Sequence, residues 1–202
     1  MVTIALYNLK GGVGKTAATI NLAYLSAMQG YKTLIWDMDP QGSSSFYLGA
    51  QANVKNETKK ILSSELDLKQ AIQATPYEHL DVIPADLSAR NADLLLNDMK
   101  QSRKRIATLL NPLQKQYDIV FLDCPPGISL LHEAVFFAAD WVLMPNIPTT
   151  LSIRSFETVL DYCKEHELEA AKIKCFFSMV DHRKNLHHEV MAEFYKDKLF
   201  FK

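Results

Sequence analysis

The chain has 202 residues, 48% of them hydrophobic and 22% charged, enough to bury one sizeable core. A formal net charge of −1 excludes strong nucleic-acid binding by overall charge, so such contact must come from a local patch or an assembled dimer. The three widely spaced cysteines, Cys124, Cys163 and Cys175, exclude a C-x-x-C metal or cluster site and suit free thiols in a reducing cytoplasm.

In chain order, the apolar run Thr3 to Asn8 reads as a buried strand that breaks at a glycine-rich segment. Thr16 to Gln29 reads as a helix with Ile20, Ala23, Tyr24 and Ala27 on one side and Gly30 as its stop. Lys32 to Asp37, "KTLIWD", is a second buried strand, closed by Pro40-Gln41-Gly42. The segment 51–116 reads as mostly helical and polar, with one strand at "LDVIPA" and a basic helix around "KQSRKRIATLL". Further strands are expected at "YDIVFLDCPPG", at Trp141 to Met144 and at Ile173 to Met179. Helices are expected over Ser129 to Ala139, Ile153 to Glu167 and Leu186 to Lys196. Apolar strands alternating with helices predict a three-layer α/β fold, a mostly parallel twisted sheet covered on both faces. No apolar stretch approaches the roughly 20 residues that span a bilayer. The N-terminus runs into a strand rather than an apolar leader, so the expectation is one soluble, cytoplasmic domain over residues 1–202.

The segment "YNLKGGVGKTAATINLA", Tyr7 to Ala23, carries the chemistry. A glycine-rich turn between strand and helix points backbone N–H groups at one spot, backed by the positive end of the helix dipole. Lys15 would add a point charge to the β- and γ-phosphates of a nucleotide, and the Thr16 hydroxyl would take a Mg²⁺ position. The alternative is a glycine turn before an ordinary helix. The generic loop pattern has a glycine where Leu9 stands, and beside it is a second lysine, Lys10.

The heptapeptide "KGGVGKT" resembles the deviant phosphate loop of the ParA/MinD family of ATPases. The resemblance implies an ATP site on a P-loop fold built from Lys10, Gly11, Gly12, Val13, Gly14, Lys15, Thr16 and Ala17. It implies that Lys10 reaches across a dimer interface to the partner's phosphates, as an arginine finger does; the alternative is a solvated loop lysine. "LIWDMDPQGSSS" resembles the family's second motif, implying that Asp39 orients the attacking water and Asp37 sits near the Mg²⁺ shell. Alternation on a strand would aim both carboxylates the same way, while a strand-ending Asp can instead cap a helix or form a turn. "IVFLDCPPG" resembles the segment in which Asp123 holds Mg²⁺ through water. By the same resemblance Lys10, Lys15 and Asp39 are the catalytic residues, and Thr16, Asp37 and Asp123 the metal-side ones.

Two weaker matches follow. "LMPNIPTTLSIRSFETV" resembles a loop near the nucleotide, with Thr149 where the family has an acidic residue. "FFSMVDHRKNLHHEV" resembles a segment whose Ser178 and Met179 would contact adenine. Family members with a middle region this long usually continue for another strand and two helices, a region that helps carry DNA contacts.

The cluster His182, Arg183, Lys184, His187 and His188 reads as a solvated basic turn, and Lys100, Arg103, Lys104 and Arg105 as an exposed basic helix face. Phe46, Tyr47 and Leu48 are expected in the core or at a dimer seam.

The resemblance implies a Mg²⁺-dependent ATPase that forms an ATP-dependent homodimer and binds DNA non-specifically. A ParB-like partner would stimulate it, and it would position a plasmid, chromosome or other cargo, nucleoid-associated when ATP-bound; "DPQG" favours this branch. The alternative is a MinD-like membrane-cycling ATPase, for which only "FYKDKLFFK" hints at an amphipathic anchor. An ATP-coupled cluster carrier would need bridging cysteines. A remnant without hydrolysis is not favoured, since every motif residue is present.

Overall fold

The computed structural model describes residues 1–201; Lys202 lies outside the described residues. Seven strands form one sheet: β1 (Val2–Leu6), β2 (Thr33–Asp37), β3 (Gln73–Ala74), β4 (Leu80–Ile83), β5 (Ile119–Asp123), β6 (Trp141–Asn146) and β7 (Ile173–Phe177). Their spatial order is β3-β4-β2-β5-β1-β6-β7, parallel throughout except that the two-residue edge strand β3 runs antiparallel to β4. The helices are α1 (Lys15–Met28), α2 (Ser43–Tyr47), α3 (Glu57–Ser63), α4 (Ala92–Asn97), α5 (Arg105–Leu110), α6 (Leu130–Ala138), α7 (Thr150–Glu165) and α8 (Asn185–Phe194).

Every residue of β2 is buried, as a strand covered on both faces requires. Alternate residues feed different cores. Leu34 and Trp36 join the larger cluster with Val120 and Leu122, whereas Ile35 joins Leu6, Phe121 and Val82 under α1. The buried stripe of α1 is Lys15, Thr19, Ala23 and Ala27, four residues apart each time. Its residues are mostly small, so the helix sits close to the sheet, and Tyr24 of the expected face is instead 37% exposed. Gly30 ends α1 at φ 86°: its N–H bonds to Ala27 O and that of Tyr31 to Ser26 O, a Schellman closure that favours glycine.

The expected parallel α/β sheet is observed, and the local differences have physical causes. The basic segment is a 3₁₀ turn, Ser102–Lys104, leading into α5, and two of its cations are employed. Arg103 pairs with buried Glu133, and Arg105 donates to the terminal carbonyls of α3 at Leu62 (2.7 Å) and Ile61 (3.2 Å). Phe46 and Tyr47 are 81% and 72% exposed and only Leu48 is buried, which separates that tripeptide.

The terminal aromatic segment "FYKDKLFFK" is partly built into the sheet and core. Residues 199–201 run beside β7, with Cys175 N–H donating to Leu199 O and Phe201 N–H to Cys175 O. Phe200 packs among Phe156, Phe177 and Phe194. Among the described residues no helix is long and apolar enough to cross a membrane.

Candidate functional site

The C-terminal ends of β1, β2, β5 and β7 converge where the order of strands turns back on itself, the place where open α/β sheets bind ligands. The segment leaving β1 is fixed at its start by Asn8, which is buried. Its Nδ2 donates to Pro145 O (2.8 Å) and its Oδ1 accepts from the Lys10 N–H (2.9 Å). Lys15 Nζ reaches back to the Lys10 carbonyl at 2.9 Å, so the loop closes round its own ammonium. Burial lowers the Lys15 pKa, with Asp123 and Asp39 among the groups acting against that shift. Gly14 has φ 96°, and a Cβ there would meet Ser178 Oγ at 3.0 Å; backbone conformation and space both call for glycine.

Around this loop lies a cleft of about 440 Å³. Gly11, Gly12, Gly14, Lys15, Thr16 and Ala17 form one wall, Asp39, Gln41 and Ser43 the other, and Pro126 and Met179 contribute from two further loops. Asp39 lies beyond the end of β2, in the turn, where Gln41 N–H holds its Oδ1 at 2.9 Å. Ser178 is anchored by its N–H on Asn146 O, and Met179 has φ 54° at the rim. The cleft thus gathers most of the sequence-predicted residues. Val13 is buried beneath the loop. Lys10 is not part of the lining; it is partly exposed, and its ammonium makes no hydrogen bond or ion pair among the described residues.

The two strand-end carboxylates differ. Asp123 is fully buried in the last register position of β5, directly beside Asp37. It accepts from Ser44 Oγ at 2.6 Å and Thr19 Oγ1 at 3.3 Å, and the Thr16 hydroxyl also favours its charged form. Burial raises its pKa against these hydrogen bonds. Asp37 is also fully buried, with both oxygens engaged as those of Asp123 are, but by α2 and its own turn: Oδ2 by Ser45 N–H (2.8 Å) and Oγ–H (2.7 Å), Oδ1 by Asp39 N–H (3.1 Å). Neither carboxylate lines the cleft. The i, i+2 alternation that would aim Asp37 there fails because β2 ends at that residue, and its contacts are those of a helix cap for the first turn of α2.

The donor set fits Mg²⁺ and a nucleotide triphosphate. The Thr16 hydroxyl and a glycine-rich backbone cradle line the cleft, and the Asp123 carboxylate lies behind them, in hydrogen-bond reach of Thr16 and Thr19. Mg²⁺ typically takes only one or two protein oxygens and fills its shell with phosphate and water.

Sequence reasoning missed Asn8, Ser44, Ser45 and His132. The buried His132 bridges the segment after Asp123, with Nε2 on Pro125 O at 3.0 Å and Nδ1 on Ser129 Oγ at 2.9 Å. Burial depresses its pKa, with the bond to Pro125 O acting against that shift. Thr149, the departure from the acidic pattern, caps α7 by accepting from Ser152 N–H. The basic turn is partly built in: His187 is buried and its Nδ1 accepts from Asp181 N–H at 3.0 Å. Arg183 pairs with Asp181, while His182, Lys184 and His188 are exposed.

A family model described as an AAA domain matches residues 1–174. The chain is 33% identical over 98% of its length to the chromosome partitioning protein ParA of Myxococcus xanthus, covering 72% of that protein. It is 32% identical over 98% of its length to the sporulation initiation inhibitor protein Soj of Bacillus subtilis, covering 81%. The chain belongs to the ParA/MinD family of P-loop ATPases. Its fold matches the crystal structure of a cobyrinic acid a,c-diamide synthase from Mycobacterium smegmatis with bound ADP and magnesium. The TM-score is 0.87 at 23% identity, over 98% of this chain and 82% of that one. For this ParA/MinD family member that likeness bears on the fold alone.

Proposed function

We propose that the chain is a ParA-type partitioning ATPase that binds Mg²⁺ and ATP in the cleft beside Lys15. ATP pairs two copies, the pair holds DNA without sequence preference, and hydrolysis stimulated by a ParB-like partner releases it. This places the protein in the cytoplasm, on the nucleoid when ATP-bound. The observation that carries the reading is that Gly11, Gly12, Gly14, Lys15, Thr16, Ala17 and Asp39 line a single cleft.

Lys15 and the loop N–H groups bind the phosphates. Thr16, and Asp123 through water, would hold Mg²⁺, which when bound would supply charge neutralisation at the transferred phosphoryl group. Asp39, held by Gln41 N–H through one oxygen, positions water with the other. Ser178 and Met179 flank the loop at Gly14 and serve the base. Exposed His182, Lys184 and His188, doubled in a dimer, contribute to the DNA face.

Calorimetry with Mg²⁺ and ATP tests the site. Lys15→Ala should lose about 2–3 kcal/mol of binding, some 30- to 150-fold, as loss of a charge-assisted phosphate contact implies. Unchanged affinity would remove the loop from the reading. Co-sedimentation with a non-specific DNA duplex, dependent on ATP, tests the rest.

A further inference from the structure

Asp123 is pinned by Ser44, a residue of "LIWDMDPQGSSS" to which the family resemblance assigns no role. The "SSS" run after Gly42 spends each serine differently: Ser43 lines the cleft, Ser44 donates to Asp123 and Ser45 donates to Asp37. We propose that Ser44 is a positioning residue for Asp123, tying the loop that carries Asp39 to the carboxylate that serves Mg²⁺. The inference rests on the site reading given above.

Ser44 is fully buried, and its hydroxyl reaches Asp123 Oδ2 at 2.6 Å, the length of a charge-assisted O–H···O⁻ bond. The opposite oxygen has a weaker hold. Thr19 has one hydroxyl proton, and its Oγ1 lies 3.0 Å from Lys15 O and 3.3 Å from Asp123 Oδ1. Ser44 therefore supplies the short, undivided bond. With Oδ2 fixed, the carboxylate has one orientation, which leaves Oδ1 on the Thr19 side under the phosphate loop. The same bond favours the ionised form against the burial that opposes it. Ser44, in the first turn of α2, follows Asp39 by five residues, so its bond to Asp123 anchors the end of the Asp39 turn to β5.

Ser44→Ala removes this bond without unmooring the turn. Ser45 still holds Asp37 through N–H and Oγ, and Ala85 N–H still donates to Ser45 Oγ at 3.0 Å.

The test measures ADP binding by calorimetry across a Mg²⁺ titration, which involves no turnover. In Ser44→Ala the Mg²⁺ concentration that half-maximally tightens ADP binding should rise about tenfold, with Mg²⁺-free affinity unchanged. A shift in ADP affinity equal with and without Mg²⁺ would mark a merely structural residue and overturn the proposal, as would an unchanged Mg²⁺ midpoint. A wild-type protein with no Mg²⁺-dependent ADP binding would instead defeat the site reading itself. A double-mutant cycle of Ser44→Ala and Asp123→Asn on the ligand-free protein reads the bond directly. Coupling of about tenfold in the unfolding constant is expected, and strict additivity would overturn the proposal.

Discussion

Asp37 shows how one buried carboxylate sets a pH dependence. Burial pushes its pKa up to about 6, the bonds from Ser45 act against that shift, and the neighbouring Asp123 adds to it. An aspartate in the unfolded chain titrates near pH ~4, so the folded state holds this proton more tightly. The stability this contributes is complete below about pH 4 and is lost as pH rises through about 6. A shift of about two pH units corresponds to roughly 3 kcal/mol. Asp37→Asn carries no charge at any pH, so the stability of wild type relative to this variant should fall by up to that amount between about pH 4 and pH 7. Urea midpoints at a series of pH values measure it; a difference that stays flat would mean that Asp37 titrates alike in the folded and unfolded chain. The sequence made the cleft legible because the glycines, Lys15 and Thr16 lie in one unbroken segment. It did not make Ser44 legible, because that serine meets Asp123 across 79 positions. Nor did it settle Asp37, whose post depends on where a strand stops.

Between elements, Glu133 on α6 is the main polar junction. Its side chain is 5% exposed, yet it accepts from Arg103 Nε at 2.7 Å and Tyr162 OH at 2.7 Å, with His166 Nδ1 at 3.3 Å. The carboxylate thus ties α6 to α7 and to the turn ahead of α5. Removing Arg103 strands a buried charge on one hydroxyl and one imidazole, so Arg103→Ala should cost about 2–4 kcal/mol although the guanidinium is 44% exposed. In a Glu133→Gln background that charge is gone, and the same change should cost under about 1 kcal/mol. Urea unfolding of the four proteins decides it; equal costs in both backgrounds would show that the pair carries no coupling. Long apolar strands such as "IVFLD" announced themselves, because a strand buried on both faces needs an unbroken apolar run. The two-residue β3 has no such run, and the inserted places of β5 and β1 in the sheet follow from crossovers that periodicity does not encode. The basic run around Arg103 and Arg105 read as a solvated face because its partners, Glu133 and the end of α3, lie 30 or more positions away.

At the scale of the whole molecule, the two lysines of the loop are placed differently. Lys15 is buried, lines the cleft and is held by the loop's own carbonyl. Lys10 has its backbone fixed from both sides, N–H on Asn8 and carbonyl under Lys15, while its side chain stays outside the cleft. A rigid mount for a cation with no partner among the described residues suits delivery to a second copy facing this loop. Lys10→Ala should therefore bind ATP as a monomer with near wild-type affinity. It should lose ATP-dependent pairing by at least about thirtyfold, since each charge-assisted phosphate contact is worth roughly 2 kcal/mol. Light scattering with and without ATP reads the pairing, and a variant that dimerises normally would make Lys10 an ordinary loop lysine. Mixing then tests the direction of delivery. When Lys10→Ala is combined with Asp39→Ala, the site that keeps Asp39 receives its lysine from the other subunit. That site is complete, so the mixture should hydrolyse ATP faster than either variant alone, provided one intact lysine bridge suffices for pairing. If Lys10 instead served its own nucleotide, each site in the mixed pair would lack one group and mixing would restore nothing.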